Sequence, residues 1–191
     1  MRNRTLTAAA RSRLQATCGR CRTVKMLREA EKAVYKLMPG IKADPERFWK
    51  LPDRVFFGNG ACHILAGVFL TRPPLPGYYA EWIVPGDGFS GNHIYVTNGR
   101  IAFDYHGYSL RANLLRHHTS GWSNRYSGGW SCAVKRVSFD LLDTHALNSR
   151  NMRGPDRYKY DPVQRAQKFL ERFCHGEAAA KVISLSQRAY I

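Results

Sequence analysis

Gly58-Asn59-Gly60-Ala61-Cys62-His63 opens the stretch that decides the fold, and it runs straight into the apolar segment Ile64-Leu65-Ala66-Gly67-Val68-Phe69-Leu70. Two glycines flanking an asparagine permit unusual backbone angles and close approach of another group. The apolar run predicts a helix from about Ala61 to Leu70, with Cys62 in its first turn, ended by Arg72-Pro73-Pro74-Leu75-Pro76-Gly77. Thirty-one residues beyond Cys62, His93 stands on the alternating stretch His93-Ile94-Tyr95-Val96. Asn98-Gly99 is a strong hairpin signal, and the return stretch Ile101-Ala102-Phe103 ends at Asp104. With a two-residue turn at 98–99, Thr97 faces Arg100 and His93 faces Asp104. Directly opposed residues share a face, with Cβ atoms about 5 Å apart.

Such an arrangement has a chemical meaning. A free thiol titrates near 8.5, so little thiolate exists at neutral pH. The positive end of a helix and a nearby imidazolium both lower that value. Cys62 at a helix start has the first device, and His93 supplies the second where its strand lies against that helix. Asp104 then fixes the imidazole tautomer and helps hold its charge. An isolated cysteine in an apolar helix is more often a buried small hydrophobe. The glycine-rich entry and the matched His/Asp pair argue here for a nucleophile.

This order of a helix-starting Cys62, then His93 and Asp104 on adjacent strands, resembles the papain-like superfamily in its wide sense. That group includes papain-fold toxins and effectors, transglutaminase-like proteins and bacterial cysteine amidases. The resemblance covers Gly58 to about Ser109, roughly a quarter of the chain. It implies an α+β, papain-like half-fold, with the nucleophile-bearing helix packed on a small antiparallel sheet with flanking helices. It also implies thiol acyl transfer on an amide, peptide or thioester carbonyl, with no cofactor and no metal. Two positions depart from papain-type proteases: Phe56 stands where they carry an oxyanion-binding glutamine, and His63 where a tryptophan often follows the nucleophile. Both departures count against a protease specifically. The oxyanion is left to the backbone N–H of Cys62, with Asn59 and Gly60 as further residues shaping the site. His63 competes with His93 as base, but a helix residue is expected to point away from its neighbour's face.

Around this segment the chain divides into a basic arm with an amphipathic helix (1–40), a catalytic domain (41–176) and a C-terminal tail (177–191). Leu27, Ala30, Val34 and Leu37 recur at helical spacing before Pro39-Gly40. Asp44-Pro45-Glu46 starts a short helix. Strands are expected over Tyr78 to Val84, Asn92 to Thr97, Arg100 to Phe103 and Cys132 to Phe139. Ser109 reads as the cap of a helix through Leu115, residues 117–131 as a long surface loop, and 143–160 as polar and irregular. Asp161-Pro162-Val163-Gln164 is a capping box that opens another helix, with Val163, Ala166, Leu170 and Phe173 inward.

Composition bounds the alternatives. The 191 residues carry 30 Lys/Arg against 14 Asp/Glu, a formal charge of +16, and 44% hydrophobic residues, which is globular rather than disordered. No apolar run in the sequence reaches the roughly 18 residues of a membrane span, and no secretory leader is evident at the N-terminus, so a soluble, cytoplasmic protein is expected. Residues 1–28 hold eight Arg/Lys and no acid. That arm reads as solvated, as a polyanion-binding or membrane-surface segment, or as a targeting presequence. Five cysteines stand at 18, 21, 62, 132 and 174, and Cys18/Cys21 form a Cys-x-x-Cys pair without a second pair at zinc-ribbon spacing. Trp122, Tyr126 and Trp130, mixed with Arg125 and Lys135, read as a lid or rim over the site, as packing, or as a base-stacking surface. The first expectation is therefore a Cys62-His93-Asp104 enzyme acting on a protein, peptide or other amide. Its rivals are a basic nucleic-acid-binding protein using the 1–28 arm and the aromatic/basic loop 117–135, and a pseudo-enzyme. Oligomeric state is not legible.

Overall fold

Residues 37–188 are described by the computed structural model. The basic arm, the Cys18/Cys21 pair and nearly all of the amphipathic helix expected before Pro39 lie outside them. Asp44 starts α1 (Pro45–Trp49) by accepting the backbone N–H groups of Glu46 and Arg47, with Pro45 pre-set at the first helical position. A second short helix, α2 (Asp53–Phe56), leads into a kinked turn, Phe57–Ala61, and that turn feeds α3 (Cys62–Thr71). Every residue of α3 from His63 to Phe69 is buried, which is how a helix apolar on all sides must sit. Taken together, Asp53–Thr71 is long and apolar enough to cross a membrane, but 61% of it is buried inside the protein, as in a core helix.

The strands are β1 (Tyr79–Pro85), β2 (His93–Thr97), β3 (Ile101–Asp104), β4 (Gly107–Leu110) and β5 (Cys132–Arg136). They form one antiparallel sheet in the order β4-β3-β2-β1-β5, so the fold is α+β. Alternation along the strands makes two cores. Ala80, Ile94, Val96, Ile101 and Phe103 pack toward α3, which is backed by α6 (Pro162–Leu170) through Ala166 and Phe169. Ile83, Tyr95 and Ala102 face the other way, onto Leu114 of α4 (Arg111–Ser123) and Trp130. On that second face Tyr95 donates to the Glu81 carboxylate, which also takes a two-pronged bond from Arg111.

Several expectations need correction. The hairpin does not turn on 98–99 alone: Val96 pairs with Phe103 and Thr97 with Ala102, which leaves residues 98–100 between the strands and the Asn98 N–H on the Ile101 carbonyl. Side-chain bonds account for the widening. Asn98 Oδ1 accepts from the N–H groups of Arg100 and Ile101, while Thr97 Oγ1 donates to the Ile101 carbonyl and accepts from Gly99. A slip of two residues keeps every side chain on its face. His93 is therefore the diagonal neighbour of Asp104 rather than its direct partner.

Ser109 belongs to edge strand β4, and α4 runs to Ser123 through the segment expected as surface loop. β5 is shorter than expected and solvent-exposed along its length. The polar segment 143–160 contains α5 (Thr144–Asn148), capped by Asp143, and a turn of 3₁₀ helix at Pro155–Arg157. Residues read as the start of a C-terminal tail instead continue α7 (His175–Arg188), whose Ala179, Val182 and Ile183 pack on the main core.

Candidate active site

The turn Phe57–Ala61 brings the chain to Cys62 at an angle that an L-residue rarely adopts. Gly60 has φ +151° and ψ 12°. Two contacts pin the turn. Tyr158 donates from its hydroxyl to the Gly60 carbonyl at 2.6 Å, and Asn59 Nδ2 donates to the Val55 carbonyl at 3.0 Å. Gly58 is needed for a different reason: a Cβ there would stand 2.9 Å from the Tyr105 ring. Cys62 emerges half-buried as the first residue of α3, with the N–H end of the helix behind it.

His93 begins β2 and Asp104 ends β3, so both lie at the same end of the sheet, and both are buried. His93 Nε2 donates to Asp104 Oδ2 at 3.1 Å. With Nε2 so engaged, Nδ1 is the ring atom left for the thiol. Asp104 Oδ1 accepts the His106 backbone N–H at 2.8 Å and has the His106 ring 3.5 Å away. A carboxylate held from both sides fixes the orientation of the imidazole it serves.

The electrostatics follow from this packing. Burial alone would push the Cys62 thiol up, but hydrogen bonds and charge from His63 and His93 overcome it and hold the thiol well below its ordinary value. Burial alone would lower His93, and its bonds to Asp104 and to Cys62 reverse that and raise it. Burial would raise Asp104, and the charges and bonds of His106 and His93 hold it below the usual carboxylate range. The consistent state near neutral pH is a thiolate–imidazolium pair backed by a carboxylate.

Two further histidines take part: His63, expected to point away from Cys62, and His118, given no role by the sequence. His63 does not point away from its neighbour: it is buried, its Nε2 donates to the Arg153 carbonyl at 2.8 Å, and its ring is near enough to the Cys62 sulfur to help lower the thiol. The side chain is long enough to bridge the angular step between helix neighbours, which a face argument from Cβ direction alone does not capture. His118, from α4, stacks on His93 with ring centroids 5.5 Å apart and planes 16° from parallel, and its Nε2 donates to the Gly91 carbonyl at 2.7 Å. Burial, then repulsion from His93, push His118 down to about 4, so the stacked ring is neutral. Tyr105 meets the His93 ring edge-on at 5.3 Å. A neutral ring on one side and a phenol on another pack against the His93 ring where Asp104 holds it.

These groups open into a cavity of about 780 Å³, within the ordinary size of a small-molecule or peptide-side-chain site. Asn59, Gly60, Cys62, His63, His93 and Trp122 all contribute to its wall. The three aromatic residues expected at a lid or rim separate here. Trp122 is rim, with its ring against Gly91 and the Arg125 guanidinium 4.3 Å from its centroid. Tyr126 and Trp130 are packing, and they hold the loop that follows β1. Tyr126 accepts the Ser90 N–H and meets Phe89 edge-on, and Trp130 Nε1 donates to the Ser90 carbonyl. Among the described residues, no group of three or more His, Cys, Asp or Glu side chains is arranged to hold a metal ion. Compared with protein-family models, curated proteins and solved structures, the chain matches none.

Proposed function

We propose that this protein is a cysteine-dependent acyl-transfer enzyme of papain-like type, acting on an amide carbonyl. The observation that carries the reading is the buried His93 Nε2–Asp104 Oδ2 bond at the sheet end where α3 begins, which leaves His93 Nδ1 to Cys62. The Cys62 thiolate attacks the carbonyl carbon, forming the S–C bond and moving the carbonyl electron pair onto oxygen. Backbone N–H groups at the start of α3 are the available donors for that oxyanion. Asn59 is a weaker donor, since one of its amide N–H groups is already given to Val55. As the tetrahedral intermediate collapses, protonated His93 passes its proton to the departing nitrogen, the C–N bond breaks and a thioester remains on Cys62. Neutral His93 then takes a proton from water, which attacks the thioester, releases the acid and restores the thiolate. An amine acceptor in place of water gives transamidation by the same steps. Asp104 holds the tautomer and the imidazolium charge throughout.

Alkylation by iodoacetamide, followed residue by residue by mass spectrometry, tests the reading. Cys62 is expected to react at about pH 6–7 well ahead of exposed Cys132, whose thiol burial of its surroundings pushes up. Equal rates at the two cysteines would overturn it. A turnover assay on a panel of primary and secondary amides then asks for loss of activity in Cys62→Ala and His93→Ala, with a residue left in Asp104→Asn.

A further inference from the structure

The wall of the cavity carries an unbalanced charge. Lys42, Arg125 and Arg153 line it together with four histidines, and no aspartate or glutamate does. None of the three cations makes an ion pair with a carboxylate among the described residues. Two of them form a unit beside the nucleophile. Arg153 Nη2 donates to the Lys42 carbonyl at 2.8 Å, and the Arg153 guanidinium lies over the rings of Phe48 and Tyr158, 4.9 and 5.4 Å from their centroids. Tyr158 in turn holds the Gly60 carbonyl, and the Arg153 carbonyl holds His63. The guanidinium is therefore tied through Tyr158 to the turn before Cys62, and the backbone of the same residue to His63. Lys42 is near enough for the thiolate and the Arg153 charge to act on it from opposite directions. Its ammonium is depressed by burial, raised by Cys62 and lowered again by Arg153. Trp82, also on the wall, has its Nε1 buried without a hydrogen-bond partner among the described residues.

Resting on the acyl-transfer reading, we infer that the Lys42–Arg153 pair is an anion subsite, so that the substrate carries a negative group close to the carbonyl that Cys62 attacks. Two cations 111 residues apart along the chain are brought together without a carboxylate partner among the described residues, and a planar guanidinium held on two rings is pre-shaped for an oxyanion. The anion also offsets the repulsion between these cations and the imidazolium. A carboxylate and a phosphate ester share this chemistry.

The test compares two alkylating agents that differ in charge alone. Each forms an S–C bond to Cys62 and expels iodide, and iodoacetate carries a carboxylate where iodoacetamide carries an amide. The measured quantity is the iodoacetate-to-iodoacetamide rate ratio at each cysteine, at neutral pH and low ionic strength. At Cys62 it is expected to exceed the ratio at Cys132, and to fall about 3- to 10-fold in Lys42→Gln and in Arg153→Gln, the size of effect a unit charge has a few ångströms away in a partly solvated site. Lys42 as a residue is exposed even though its ammonium is crowded by its neighbours at the cavity wall, so its variant is expected to keep the fold even where Arg153→Gln does not. Because each ratio is taken within one protein, a variant that merely weakens the thiolate moves both rates and not the ratio. An unchanged ratio in both variants, with Cys62 still the most reactive thiol, overturns the anion subsite and leaves the enzyme reading standing. Failure of Cys62 to react selectively with iodoacetamide overturns the enzyme reading itself. Protection of Cys62 by succinate or by inorganic phosphate then distinguishes a carboxylate from a phosphate substrate, and protection by neither counts against the subsite.

Discussion

At Cys62, the balance between burial and two imidazoles sets a pH profile. Burial raises the thiol and His63 and His93 lower it further, so the thiolate form is reached below the ordinary thiol range. His93 shifts the opposite way, and the ion pair therefore exists between a lowered thiol value and a raised imidazole value. Alkylation of Cys62 is expected to reach its plateau by neutral pH, while Cys132 keeps rising into the alkaline range. Asp104→Asn removes the main group that raises His93, so the imidazolium is lost at lower pH and the thiol rises. The Cys62 inflection should then move alkaline by about one to two units, the shift a lost neighbouring charge produces. A rate-against-pH series on both proteins checks it, and an unmoved inflection would show that Asp104 does not act through His93. Cys62, His93 and Asp104 were legible because each sits at a boundary the sequence marks: a glycine-rich helix entry, a strand start and a strand end. His63 and His118 were not, since nothing in the local pattern says that one reaches back to the sulfur and the other is carried onto His93 by α4.

Among the elements, the turn before α3 is held by parts of the chain far away in sequence. Arg165 of α6 donates to Asp53 at 2.7 Å and to the carbonyls of Trp49 and Leu51, and lies 4.1 Å over the Phe56 ring. Asp53 keeps Arg172 as a partner when Arg165 is removed, so what Arg165→Ala loses is the two carbonyl bonds and the stacking. A loss of about 2–4 kcal/mol is expected in urea unfolding, from half-buried carbonyls left unsatisfied and a charge-assisted bond broken. Gly58→Ala tests the same turn from within. Its Cβ must displace the Tyr105 ring, which edges His93, so it should cost about 1–3 kcal/mol as overpacking and also slow Cys62 alkylation. Normal alkylation in a destabilised Gly58→Ala would separate the turn from the site. The Asn98-Gly99 signal located this hairpin in the sequence but not its register, because Asn98 and Thr97 spend their side chains inside the loop and lengthen it. Edge strand β4 was missed because four residues of mixed polarity carry too short a pattern, and only pairing with β3 defines it.

Over the whole molecule, positive charge is in excess both in the N-terminal arm and in the part of the chain that forms the described core. The described residues close their own core between Ile41 and Ala179, with Val182 and Ile183 packed against it, and the α+β class was readable from the order of apolar runs and turns. What lay beyond the sequence was which faces those runs would share, since the sheet order depends on contacts between distant segments. Residues 1–22 hold six arginines and no acid, so removing them takes the formal charge from +16 to +10. A chain beginning at residue 23 is expected to melt with the same cooperativity, because none of the packing described here requires the deleted part. Its affinity for polyanions should fall, and with it the slope of log affinity against log salt, since fewer phosphate charges are neutralised and fewer counterions released. For the full chain, two unrelated oligonucleotides should bind alike at low salt and both weakly at about 0.15 M, where the Debye length is roughly 8 Å. Trp122 lies on Gly91, and Tyr126 and Trp130 are bonded to Ser90, so each of these rings already has a partner within the protein. Titrating both oligonucleotides into both proteins at two salt concentrations checks all of this. Retained tight binding to one oligonucleotide at physiological salt would show a recognition surface that scattered charge does not explain.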